Sequence, residues 1–211
     1  MKWARLEALS VDELALPSYR FEQMHRNDIA AVSECVRRWY PDISVGSASC
    51  FLDPQFYEKE VSLADEDETD LMVYVCRHEH EVVSMYSLER FQESKVIQGR
   101  LAVVSPAHRE SGLSRFGPFI IDKQACAMGM AMAYNHVSLK NIHAQKLVER
   151  AGFSLVGIIP ASDRELVELG IPKFVPEALY AKVYARSDEL FVPSEECMTP
   201  TVRELWHRLF P

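Results

Sequence analysis

Hydrophobic and polar positions along this 211-residue chain switch between two periods, and the switches mark out the elements. Tyr19–Met24 alternates as a short strand does. From Asp28 the spacing lengthens. Ile29, Val32, Val36 and Trp39 recur at three and four residues, the stripe of an amphipathic helix capped by Asp28 and stopped by Pro41. Asp53 and Pro54 open a second helix, 53–61. Beyond an acidic run at 64–70, residues 71–77 and 82–91 read as strands joined by a polar turn, and 96–104 as a third strand. A helix is expected over 117–130, a strand over 131–137, a helix closed by Gly152 over 141–153, and last strands over 154–159 and 177–185. An antiparallel meander followed by a strand–helix–strand crossover predicts an α/β chain, with one mixed sheet and helices on both faces.

The pattern divides the chain into an N-terminal extension (1–18), one domain (19–186) and a tail (187–211). In the tail, Thr199-Pro200 and a Thr201/Glu204 capping box start a helix with Val202, Leu205, Trp206 and Leu209 on one face. That stripe must be covered by its own domain or by a second subunit, which predicts a homodimer through the C-terminal helix. A formal charge of −8 offers no basic footprint for nucleic acid. No apolar run reaches the ~20 residues that cross a bilayer, and Glu7, Asp12 and Glu13 interrupt any leader-like core. Five cysteines without CxxC spacing argue against a disulfide framework and a zinc site, so a reduced, cytoplasmic protein with no metal is expected. The acidic run reads as a solvated loop, and His78 and His80 as turn residues.

The chemistry concentrates in "VVSPAHRESGLSRFGP", Val103–Pro118. A strand that ends in a loop leading to a helix leaves unpaired N–H groups and a partial positive charge, which together favour an anion. Arg109 adds a guanidinium, and Gly112 lets the backbone approach closely. The loop Arg109, Glu110, Ser111, Gly112, Leu113 and Ser114 is therefore either an ordinary turn or a phosphate cradle. Pro118 disfavours a helix interior, so the helix is expected to begin late, after a longer loop.

Downstream, Val137, Asn141, Ala144, Leu147, Glu149, Gly152 and Phe153 fall in the register V-x-x-x-N-x-x-A-x-x-L-Y-E-x-x-G-F. With Val104, Pro106, Arg109, Gly112 and Ser114 upstream, the pattern resembles the GNAT superfamily of N-acetyltransferases over residues 19–185. The resemblance implies a mostly antiparallel sheet, splayed where the pantetheine of acetyl-CoA or another acyl-CoA lies. The loop would hold the diphosphate, and backbone N–H groups of Val103 and Val104 would polarise the thioester. Asn141 would either contact the pantetheine or cap its own helix. The acceptor implied is a small-molecule amine. An alkyl amine has a pKa of about 10.4, so direct attack calls for a general base.

The tyrosine that the family uses to protonate the departing thiolate falls at Val148, which has no proton to give. Tyr180 and Tyr134 are candidate donors, His136 and Glu89 candidate bases; each also has an ordinary reading as a tied-off core group or a solvated carboxylate. Cys126 reads as core. The connection 159–177 carries Asp163, Arg164, Glu165, Lys173 and Glu177, and as a long loop over the acceptor end would suit an amino-acid-like acceptor or a carboxylated acyl chain. Two other readings fit the sequence: a non-catalytic acyl-CoA-binding or sensing module, and an acylhomoserine-lactone-type synthase.

Overall fold

The computed structural model describes residues 1–210. Its strands are β1 (Tyr19–Gln23), β2 (Val61–Ser62), β3 (Leu71–His78), β4 (Glu81–Phe91), β5 (Val96–Val104), β6 (Met132–Ser138), β7 (Ser154–Glu168) and β8 (Ile171–Val183). The helices are α1 (Ile29–Trp39), α2 (Pro54–Glu60), α3 (Phe116–Met128), α4 (Ile142–Arg150) and α5 (Pro200–Leu209). The strands form one mixed sheet in the order β1-β3-β4-β5-β6-β8-β7, with β2 beside β3. Pairing is antiparallel except at β2/β3 and β5/β6.

Two apolar layers sandwich the sheet. Alternation along β3 sends Met72, Tyr74 and Cys76 into a cluster with Phe116, Ile120 and Ala125 of α3, and Leu71, Val73 and Val75 into a second with Val32 and Val36 of α1. A strand buried on both sides reads as an unbroken apolar run, as "LMVYVC" does. The N-terminal segment belongs to the first layer. Trp3, Leu9 and Leu14 are buried there, and the Gln124 side chain on α3 bonds both N and O of Ala4.

Local chemistry sets most boundaries. The Asp53 carboxylate accepts the Gln55 N–H at 2.9 Å and Pro54 opens α2. Gly129 adopts a left-handed conformation after α3. α3 does start late: a single 3-10 turn over Leu113–Arg115 precedes it, and Pro118 sits in its first turn, where a missing N–H costs nothing. α5 starts at Pro200 with Thr199 as its cap, its hydroxyl accepting the Val202 N–H, rather than at Thr201.

One segment differs from expectation. The connection 159–177 is not a loop. β7 and β8 run on through it as a long hairpin that turns at Leu169-Gly170, with Gly170 at φ 74°. Register shifts between Ile159 and Asp163, and between Leu166 and Glu168, together with Pro160, Pro172 and Pro176, break the two-residue alternation that would announce strands. No helix among the described residues is long and apolar enough to cross a membrane.

Candidate active site

β5 and β6 pair only from Val96↔Met132 to Gly99↔Asn135; beyond that point they part. The parting coincides with a bulge. Leu88 faces Gly99 while Ser87 faces Leu101, so Arg100 is the extra residue. The Leu101 N–H is taken by Ser87 Oγ at 2.9 Å, and the Ser105 N–H by Val83 O at 2.8 Å. Antiparallel alternation therefore turns the odd-numbered amides, that of Val103 included, toward β4. The N–H groups of Ala102 and Val104 face the gap. Of the two amides expected there, Val104 lines the gap, Val103 belongs to the ladder, and Ala102 joins from its place two residues before Val104.

At the open end of β5 the chain enters the glycine loop. Gly112 holds φ 86°, a conformation that favours glycine. Ser111 Oγ donates to His108 O at 2.6 Å and accepts the Leu113 N–H at 3.3 Å, and Leu113 is buried with its carbonyl bonded by the Tyr86 hydroxyl at 2.6 Å. The loop is pinned from beneath. The N–H groups of Glu110 and Gly112 donate to no described residue, Ser114 is half-buried beside them, and the Glu110 side chain is exposed. Arg109 extends toward the end of α1, its guanidinium 5.3 Å from the Tyr40 ring centre and Nη2 3.4 Å from Trp39 O. A second guanidinium lies at the loop. Arg115 Nε donates to Gly112 O at 3.3 Å and Nη2 to Leu14 O at 3.0 Å. Nothing in the spacing singled out Arg115; only the fold brings it over Gly112.

The point of parting carries an anomaly. Asn135 is 7% exposed, its carboxamide makes no hydrogen bond among the described residues, and Nδ2 is fully buried. Its Oδ1 lies against Gly99, 2.1 Å from where a Cβ would be, with Ile121 of α3 alongside. Only glycine fits opposite it. Unbonded amides at the loop, backbone donors along the gap and an orphaned carboxamide at its closed end follow one another along β5 and its partner strand. That track fits a ligand with a phosphate head and an amide-bearing arm, as acyl-CoA has.

The opposite face, reached by the alternate residues of the same strands, collects titratable side chains. His136 Nδ1 is 3.2 Å from Glu177 Oε2, which also accepts the Ser162 hydroxyl at 2.7 Å. The Tyr134 hydroxyl donates to Gln98 Oε1 at 2.9 Å, and Glu89 pairs with Arg100. Burial, and the Glu89 carboxylate after it, raise the Tyr134 pKa above the ordinary phenol value. Glu89, Tyr134, His136 and Glu177 are thus brought to one face. The β7–β8 hairpin is tied across that face to the loop after α1: the Asp163 carboxylate accepts Ser47 N–H and Ser47 hydroxyl, both at 2.8 Å, and Lys140 pairs with Glu165. Gly46 is what lets the loop and the hairpin meet, since a Cβ there would lie 2.1 Å from Arg164 O. Asp163 is spent on this brace, and the side chains of Arg164 and Lys173 are exposed.

Other candidates lie elsewhere. Tyr180 faces α4, where its hydroxyl donates to Glu149 Oε1 at 2.8 Å; burial, then that carboxylate, push its pKa up to about 12. Asn141 caps α4, with Oδ1 accepting the Ala144 N–H at 3.0 Å. Val148 is buried in the α3-side layer. Cys126, expected in the core, is exposed on α3. α3 is apolar enough all round that its solvent side was not evident from periodicity.

No protein-family model matches the chain, and no curated protein matches it. Solved structures do. Mutant forms of the spermidine/spermine N-acetyltransferase from Vibrio cholerae superpose with a TM-score of 0.61 at 14% identity, over 79% of this chain and 94% of theirs. The ribosomal-protein-S18-alanine N-acetyltransferase from Escherichia coli gives 0.60 at 12% identity, over 82% and 99%. This is the GNAT acetyltransferase fold. An IAA acetyltransferase from Bacillus cereus ATCC 14579 shares it, with a TM-score of 0.56 at 14% identity, over 79% and 99%.

Proposed function

We propose that this protein is an N-acyltransferase that moves an acetyl, or another acyl, group from a CoA thioester to the primary amine of a small molecule. The observation that carries this reading is the gap between β5 and β6, edged by the Ala102 and Val104 N–H groups and running from the Gly112 loop to the bulge at Arg100. Bound acyl-CoA supplies the activated carbonyl and a thiolate leaving group. The Glu110 and Gly112 amides, with Arg109 and Arg115, hold the diphosphate; Leu113 and Ser114 shape the turn. The Ala102 and Val104 N–H groups face the pantetheine and the carbonyl, where fixed donors favour developing negative charge.

His136 is the general base. Its Nδ1 is engaged by Glu177, which leaves Nε2 as the acceptor for the ammonium proton. Glu89 is neutralised by Arg100 and the Tyr134 hydroxyl is committed to Gln98, so both bound the acceptor rather than carry its proton. The Tyr180 proton is directed at Glu149 on the other face, which suits a structural role. Acceptors of the amine or amino-acid class suit a face that presents the Glu89 and Glu177 carboxylates and the Arg100 guanidinium, and the structural neighbours named for spermidine/spermine and for a protein's alanine also act on amines.

One observation favours a second reading, an acyl-CoA-binding module without turnover: Val148 is core and no neutral acid replaces it in α4. Thiol release from acetyl-CoA across an amine panel separates the two. Turnover with any amine is expected; tight acetyl-CoA binding without turnover would establish the module. We also propose a cytoplasmic location, as the reduced, dispersed cysteines suggest, and a homodimer through α5, because Val202, Leu205 and Phe210 stay about half exposed.

A further inference from the structure

Among the described residues four buried side-chain groups lack a hydrogen-bond partner, Ser62 Oγ, Ser84 Oγ, Arg203 Nε and the Asn135 carboxamide, and of these the carboxamide stands where β5 and β6 part. Buried polar groups are nearly always hydrogen-bonded, and one left without a partner destabilises the fold that contains it. Asn135 lies on a strand whose inward neighbours, Ala133 and Val137, are apolar core, and an apolar residue of its size would seal the same site. Gly99 is required opposite it because Oδ1 fills the space a Cβ would take. The pair marks the last rung before the strands separate. Arg100–Val104, five residues of β5 including the bulge, lie between Gly99 and Ser105, roughly 17–20 Å at strand rise, so a ligand anchored at the loop must be long to reach it. The Val148 side chain contributes no polar contact at this end, and the Tyr180 hydroxyl is committed to Glu149.

We infer that the Asn135 carboxamide is a binding group for the thioester end of the cofactor, its N–H donating to the acyl carbonyl oxygen. Rotation about χ2 exchanges the amide and carbonyl ends at the Gly99 side, so either end can meet the ligand. The residue is kept at the expense of apo stability. This assignment rests on the acyltransferase reading, yet its signature is measurable without turnover.

The test compares the unsubstituted protein with Asn135→Leu, which keeps the branched shape with two larger methyls and removes the donor, and Asn135→Ser, which keeps a hydroxyl donor. Thermal unfolding of the apo proteins is measured beside calorimetric titration with acetyl-CoA and with CoA. The expected result is an unchanged or higher Tm for Asn135→Leu, with acetyl-CoA affinity about tenfold weaker and CoA affinity nearly unchanged, since the thiol has no carbonyl to accept the bond. Asn135→Ser is expected to retain part of the acetyl-CoA preference. Equal acetyl-CoA affinity in the Leu variant, or an equal loss for CoA and acetyl-CoA, overturns the assignment alone. If the unsubstituted protein binds neither compound, the acyltransferase reading falls and the assignment with it.

Discussion

The two faces of the sheet at the β5/β6 parting are made from different kinds of information. On the α3 side, the loop and the backbone donors that edge the gap come from one continuous stretch, Val96–Met128, and from residues whose effect is local: Gly112 at positive φ, Ser111 tying the turn, Pro118 setting the helix start. On the opposite face, the His136–Glu177–Ser162 cluster is assembled across three strands. His136 and Glu177 are 41 residues apart in sequence. Their meeting depends on the β6/β8 register that places Ser138 against Glu177 and His136 against Leu179. The proposed binding surface can thus be read from a motif, whereas the proposed chemistry beside it depends on strand register.

If that division holds, substitutions on the two faces should separate binding from turnover. His136→Ala is expected to lower kcat about 100-fold or more while leaving acetyl-CoA affinity within twofold, as measured by steady-state kinetics beside titration calorimetry. A parallel loss of affinity would show the faces to be one unit. Arg109→Ala and Arg115→Ala should each weaken acetyl-CoA binding roughly tenfold or more, the worth of a hydrogen bond to a charged group, with kcat at saturation little changed. The Arg109 variant is the sharper test, since Arg115 is also bonded to the carbonyls of Gly112 and Leu14 and its loss would loosen the loop itself. Truncation before Met198 should convert a dimer to a monomer in sedimentation velocity without loss of turnover; an unaltered mass would remove α5 from the interface. The smallest effect is expected for Tyr180→Phe. Losing its bond to Glu149 should cost about 1 kcal/mol of stability in urea unfolding and change the rate less than threefold, whereas a loss of 100-fold would return Tyr180 to the chemistry.

Much of the fold was legible because its signals are short-range. The Asp53 and Asn141 caps, the Val32–Val36–Trp39 stripe and the apolar run of β3 each depend on a few neighbouring residues. The β7–β8 hairpin was not, since prolines and bulges erase its alternation, and its contact with the loop at Ser47 joins segments far apart in sequence. That hairpin converts Asp163 from an expected substrate contact into a brace. Arg115 and Asn135 escaped notice for a related reason. A guanidinium over Gly112 and a carboxamide facing Gly99 become visible only when distant segments are in place.

The central claim is that the Gly112 loop and the parted strands beneath it hold an acyl-CoA. Native mass spectrometry of the full chain with added acetyl-CoA, beside Gly112→Asp, tests it most directly. The account predicts one cofactor bound per chain in the unsubstituted protein and none in the variant, whose extra carboxylate would repel the diphosphate. Retention of the cofactor by Gly112→Asp, or its absence from both proteins, would contradict it.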